Sequence, residues 1–141
     1  VDCLANKGSS ICIVPRKRLW NTPFSRGVEG HQIVRNEEME QVTATIAKTL
    51  SLSYVFDCDF GTSEDGQPGL LEMNPRWSGS VTSALAGGIN LPSLLIRSMA
   101  GLTLPTTHFR TGAKAFPVTR MAFQRDNQPA TLIDGIGKLN Q

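Results

Sequence analysis

The chain has 141 residues, 40% hydrophobic and 18% charged, which suits one globular domain with a buried core. Its net charge of +2 is too small to argue for a nucleic-acid partner or an acidic membrane surface. No apolar run nears the length that spans a bilayer and the amino end carries no basic-then-apolar leader, so a cytoplasmic protein is expected.

Residues 1–4 and 11–14 read as strands joined through a turn at Asn6-Lys7-Gly8-Ser9. Residues 15–35 run polar and Gly-rich, long for a loop inside a compact domain, and such loops are usually functional. Arg16, Lys17, Arg18 and Arg26 cluster there. Two readings are open for them: Arg16 and Arg18 meet the phosphates of a cofactor, or the segment is a solvated charged loop. Asn36 caps an amphipathic helix, with Glu37 and Glu38 at its positive end and Met39, Val42, Ile46 and Leu50 in one inward stripe.

Residues 53–60 and 69–73 form a hairpin closed at Asp65-Gly66, a pair suited to a two-residue turn with positive φ at both centres. That turn sets Asp59 opposite Glu72 and Asp57 opposite Asn74. Side chains two apart on a strand share a face. Asp57, Asp59, Glu72 and Asn74 therefore gather on one side, and Phe56, Cys58, Phe60, Leu71 and Met73 on the other. Opposed carboxylates repel unless a cation joins them. A hard, oxygen-seeking ion such as Mg²⁺ answers that need; the other reading is a solvated face, made mixed in charge by Arg76.

Residues 81–86 read as a short helix ended by Gly87-Gly88. Asn90 caps another, with Leu91, Leu94, Leu95 and Met99 inward and Gly101 closing it. Residues 116–123 read as a returning strand, and beyond Gln124 only a turn at Asp126-Asn127 is legible. Cys3, Cys12 and Cys58 lack paired spacing and read as buried thiols. His31 and His108 have no partner at metal-ligand spacing and read as ordinary loop residues. Trp77 either covers a ligand or packs against the helix neighbouring the hairpin.

Asp59, then Glu72-Met73-Asn74-Pro75-Arg76, then Ser78-Gly79-Ser80, resembles the metal-binding hairpin of the ATP-grasp superfamily, near the carbamoyl-phosphate synthase large-subunit branch. The run Ala84-Leu85-Ala86-Gly87-Gly88-Ile89-Asn90-Leu91-Pro92 and a late Val118-Thr119-Arg120 strand are similar to that branch as well. The likeness spans most of residues 1–123 and is dense between 54 and 101. It implies an α+β fold, a mostly antiparallel sheet with helices packed on one face. Residues 1–105 would be the second lobe of the module, and residues 106–141 a returning strand and C-terminal extension. The first lobe, with its Gly-rich loop and lysine-bearing strand, would precede Val1, so this chain alone is expected to be inactive.

The resemblance further implies a ligase using ATP and Mg²⁺ (or Mn²⁺) to join a small carboxylate or bicarbonate to an amine or ammonia through an acyl phosphate. In that scheme Asp59 and Glu72 ligate the metal and Asn74 completes a second site, with Asp57 an extra acid outside the ligand set. The planar fork of Arg76 suits a carboxylate or acyl phosphate as the catalytic group; an ion pair with Asp57 is the structural alternative. Two other readings stay open: a nucleotide- or metal-binding domain without chemistry, and a metal-dependent hydrolase, which would want a second ligand cluster or a histidine base.

Overall fold

The computed structural model describes residues 1–19 and 30–117, and the backbone of 120–123 and 131–134. β1 (Asp2–Asn6) and β2 (Ser9–Val14) form the first hairpin. Lys7 (φ 47°) and Gly8 (φ 81°) are its two central residues, both left-handed, as a turn matching the twist of its strands requires. β5 (Tyr54–Thr62) pairs with β1, and β6 (Pro68–Asn74) pairs with β5, giving an antiparallel sheet in the order β2-β1-β5-β6.

Segment 15–35 is not one long loop. Arg16–Leu19 is β3 and Gly30–Ile33 is β4; with β7 (Lys114–Ala115) they build a second antiparallel sheet, in the order β3-β4-β7. Three consecutive cations hide the strand character of β3, because loops and exposed strand faces are both rich in charge. Arg26 lies outside the described residues. The returning strand also divides: Phe116 and Pro117 belong to no strand, Val118 and Thr119 lie outside the described residues, and β8 (Arg120–Phe123) pairs with β9 (Thr131–Asp134). The turn expected at Asp126-Asn127 lies outside the described residues, and β9 carried no signal we recognised.

α1 (Glu37–Thr49) starts where Asn36 Oδ1 accepts a hydrogen bond from Met39 N at 2.9 Å. Its buried line runs through the small residues Thr43 and Ala47, flanked by Met39 and Ile46. Leu50 is exposed, not inward, because it caps the helix beyond the last turn. A 3₁₀ helix (Val81–Gly87) leads to α2 (Leu91–Met99), capped by Asn90 Oδ1 accepting from Ser93 N at 3.0 Å. Leu91 and Leu94 are buried and Leu95 is partly so, whereas Met99, at the end of this short helix, faces solvent.

The fold is α+β with antiparallel sheets, and core forms on both faces of the larger one. Cys3, Ala5, Phe56 and Cys58 pack with Ala47 of α1, joined by Phe60 and Met73. On the other face Leu4, Cys12 and Val14 meet Ile33, Ala84, Leu91 and Leu94. Residues 109–115 return to this second layer: Arg110 N donates to Gly87 O at 3.0 Å and Gly112 N to Ile33 O at 2.7 Å. Among the described residues no helix is long and apolar enough to cross a membrane.

The β5–β6 register pairs Asp57 with Asn74 and Asp59 with Glu72, as the sequence indicates, but by another route. Only Gly66 is left-handed at the turn (φ 87°), and the loop is longer than two residues: Ser63 N donates to Gln67 O at 3.0 Å and Gly66 N to Ser63 O at 2.9 Å. This shifts the pairing by one, so Phe60 meets Leu70. A bulge at Leu71 then restores the original register at the acids. The bulge also takes Leu71 off the apolar face, leaving it 73% exposed.

Gly8 and Gly66 differ in what a side chain would meet. A Cβ at Gly8 would lie 3.3 Å from Lys48 Cα, whereas one at Gly66 has nothing within 4 Å. Gly66→Ala is expected to carry only the left-handed backbone cost of about 1–2 kcal/mol. Gly8→Ala should cost more in urea unfolding, and equal losses would show that contact between this turn and the end of α1 contributes nothing.

Candidate functional site

Strand pairing writes two opposed surfaces. Across the large sheet, Asp2 lies directly opposite Asp57, and Asp57 opposite Asn74; one step along, Asp59 lies opposite Glu72. Directly opposed residues point to the same face, so these side chains form an acidic wall continuous with the apolar layer at Leu4 and Val14. On the small sheet, Arg16 and Arg18 are two apart, opposite Ile33 and His31. Their basic face looks toward the acidic one. Between them lies a cavity of about 500 Å³ lined by Arg16, Arg18 and His31 on one side and by Asp57, Asp59, Glu72 and Asn74 on the other, with Arg76 and residues 78–80 completing it. All six residues singled out from the sequence for metal, cofactor or catalysis thus open on one cavity.

Their roles within it differ. The Arg16 side chain is only 6% exposed. Its Nη2 lies 2.8 Å from Asp2 Oδ2 and 3.7 Å from Asp57 Oδ1, while its guanidinium donates to Ser80 O (2.7 Å), Ser80 Oγ (2.8 Å) and Ser78 Oγ (2.9 Å). Burial pushes the Asp57 carboxyl above its ordinary range; the Val1 amino group, 3.7 Å from Oδ1, and Arg16 oppose the push, while the charges of Asp2 and Asp59 add to it. Asp57 Oδ1 is buried without a hydrogen bond among the described residues.

Arg18 is the opposite case. Its Nη2 reaches Asp59 Oδ1 at 3.1 Å and Oδ2 at 3.0 Å, with the two side chains 49% and 38% exposed. Such a pair is worth about 0–1 kcal/mol. Glu72 Oε1 accepts a hydrogen bond from the Asn74 amide. Arg76 donates to Trp77 O at 2.9 Å and forms no ion pair among the described residues; Asp57 is met by Arg16 instead. Trp77 is partly buried and packs against the core cluster that contains Ile33 and Leu91.

Asp59, Glu72 and Asn74 offer only oxygen donors, the set preferred by Mg²⁺ and Mn²⁺. Among the described residues no three His, Cys, Asp or Glu side chains gather closely enough to hold a metal alone. An ion held here would complete its shell with water or phosphate, as Mg²⁺ commonly does.

His31, which its sequence context marks as an ordinary loop residue, also lines the cavity. It is not a loop residue but the centre of β4, with Nδ1 3.2 Å from Ser83 Oγ in the 3₁₀ helix. Burial, then the charges of Arg16 and Arg18, lower its pKa below the ordinary 6.5, against an opposing pull from Asp2. The usable signal was the polar–apolar pattern of His31 and Ile33 two apart, which only the β3–β4 pairing makes meaningful.

Two measurements test this geometry. Removing Arg16 leaves Asp2 without its ion pair and Asp57 with only the Val1 amino group at 3.7 Å, so Arg16→Met should cost about 3–5 kcal/mol of unfolding free energy. Arg18→Met should stay within about 1 kcal/mol of wild type. Equal small losses would mean that Arg16 is not the internal counter-ion. For His31 the folded pKa lies below the unfolded one, so its contribution is intact above pH 6.5 and declines as pH falls through the folded value. The urea midpoint should therefore drop on acidification from pH 7.5 to 5.5, and His31→Gln should flatten that drop; an unchanged slope would assign it to other groups.

A family model described as ATP-grasp in the biosynthetic pathway with Ter operon matches residues 1–122. No curated protein and no solved structure matches the chain. The matched span covers the four-stranded and three-stranded sheets, the three helices of the described residues and every residue lining the cavity. The chain belongs to this ATP-grasp family, whose domains generally bind ATP and Mg²⁺ in ligase-type chemistry.

Proposed function

We propose that this chain is the Mg-ATP-binding lobe of a ligase that activates a small carboxylate or bicarbonate as an acyl phosphate and transfers it to an amine or ammonia. Within the superfamily we place it near the carbamoyl-phosphate synthase branch, on the Glu72–Arg76 motif and the run from Ala84 to Pro92. The observation that carries the proposal is the opening of Asp59, Glu72, Asn74 and Arg76 on one cavity, the three oxygen donors beside a guanidinium that forms no ion pair among the described residues.

In this reading Asp59 and Glu72 hold the metal and Asn74 adds an amide oxygen. Bound there with ATP, the metal neutralises charge on the phosphates. Arg18 is our phosphate contact on the opposite wall, since its guanidinium is half exposed. Arg16 lines the same cavity, but its buried contacts suit it to positioning residues 78–80. Arg76, next to Pro75 with its fixed φ, orients the substrate carboxylate and stabilises charge as the phosphoryl group moves. The acid oxygen attacks the γ-phosphorus and ADP leaves; the amine then attacks the acyl carbon and phosphate leaves.

We assign the lobe to residues 1–105 and the remainder to a returning strand and extension, the early part of which is tied to the lobe at Gly87 and Ile33. The adenine pocket and phosphate-binding lysine are assigned to a first lobe, so the chain alone should be inactive. A cytoplasmic setting fits the three buried, unpaired thiols.

In the complete protein, Arg76→Ala should lower acid-dependent ADP release by about 10²–10³-fold, the scale for losing one preorganised charge-stabilising donor. Mg-ATP affinity should change far less, and Arg76→Lys should not restore the rate, because a point charge lacks the planar fork. Unchanged thermal unfolding must accompany the loss. Near-normal turnover in a stable Arg76→Ala protein would reduce the proposal to a metal–nucleotide lobe, and a metal response unaltered by Glu72→Gln would remove the site itself.

A further inference from the structure

We propose that Arg18 determines what the acidic wall accepts: it is a resident counter-ion on Asp59 that disfavours a bare divalent cation and favours one arriving with a polyphosphate. The inference rests on the metal site assigned above and concerns the selectivity of that site.

The four acids of the wall are neutralised in different ways. Asp2 and Asp57 share the buried guanidinium of Arg16, which five contacts to β1, β5 and residues 78–80 hold in place, and the Val1 amino group also lies 3.7 Å from Asp57. Glu72 takes a neutral amide hydrogen from Asn74. Asp59 alone among these acids is paired with a half-exposed cation on a side chain otherwise free of protein hydrogen bonds among the described residues. Arg18 can leave Asp59 at small cost, whereas Arg16 cannot leave Asp2 or Asp57.

A bare dication at Asp59 and Glu72 must either displace Arg18 or sit beside its positive charge. Both oppose binding, the first by loss of the ion pair and the second by repulsion over a few ångströms of partly wet cavity. A metal bound to a polyphosphate removes both objections. The guanidinium released from Asp59 meets phosphate oxygens, which suit its planar fork better than the carboxylate, whose two oxygens it meets through Nη2 alone. Metal and polyphosphate then strengthen each other through one shared side chain, by the same factor in either direction.

The test is Mn²⁺ binding to the complete protein, followed by the electron paramagnetic resonance signal of free Mn²⁺, with and without ATP. Arg18→Met should bind Mn²⁺ alone about three- to tenfold more tightly than wild type. Its gain in Mn²⁺ affinity on adding ATP should shrink by about tenfold, as a charged hydrogen bond to phosphate is lost. Arg18→Gln should behave in the same way, whereas Lys17→Met, which removes an exposed charge from the same strand, should change neither value beyond about twofold. A merely structural role would weaken both bindings together. Mn²⁺ uptake with ATP, but equal affinity for Mn²⁺ alone in wild type and Arg18→Met, overturns the inference and leaves the metal site standing. No uptake by wild type even with ATP overturns both.

Discussion

Arg16 bonded to Asp2 across a buried interface is the contact on which the arrangement of the two sheets depends. Asp2 and Asp57 are directly opposed on neighbouring strands, both buried, a placement that would be strongly unfavourable for two unpaired carboxylates. Pro15 carries the chain straight from β2 into β3, and this delivers the Arg16 guanidinium over the pair. The same group holds Ser78 and Ser80, so one side chain ties the large sheet, the small sheet and the segment after β6. Buried ion pairs are poor sources of net stability, because desolvation offsets attraction. What this one fixes is position: the basic sheet stands over the acidic wall at a set distance, and the cavity is the space between them.

The contrast within β3 follows from that placement. Arg16 and Arg18 are two residues apart on one face, yet the first is enclosed and the second half exposed. Burial falls along the strand because the apolar layer of Val14, Ile33 and Ala84 lies at the Arg16 end, while the Arg18 end opens on the cavity. Residue type therefore says little about role here. His31, opposite Arg18, shows the same point, since a histidine in a loop and one pinned by Ser83 at the centre of a strand are identical in sequence.

What could be read in advance was local. The α1 and α2 caps, the β1–β2 hairpin and the pairing of Asp57 and Asp59 with Asn74 and Glu72 all depend on residues close in sequence. The acid pairing held although the turn was misread: the longer loop moved the register by one and the bulge at Leu71 moved it back. Two-residue turn geometry occurs instead at Lys7-Gly8, without the Asp-Gly or Asn-Gly pair that usually marks it. The role of Arg16 was not legible because it needs the pairing of β1 with β5, which sets Asp2 opposite Asp57, far away in the sequence. β3 and β4 were missed for a related reason: neither is apolar enough to announce a strand, and each becomes one only by pairing with the other.

The bulge does more than correct a register. Bulges gather beside functional sites because one extra residue re-aims its neighbours. Here it adjoins the Asp59–Glu72 pair, after Asp59 on one strand and before Glu72 on the other, separating the paired acids from the loop end of the hairpin. A wall meant to receive a cation must also be tolerable without one. For the enclosed acids the chain supplies a permanent counter-ion in Arg16, at the expense of keeping them away from any ligand. For Asp59, just inside the bulge and open to the cavity, it supplies Arg18, held by an exposed pair weak enough to exchange. Two acids that build the interface and one that stays exchangeable can therefore share a sheet face, because the enclosed pair meets Arg16 and Asp59 meets Arg18 from the sheet opposite.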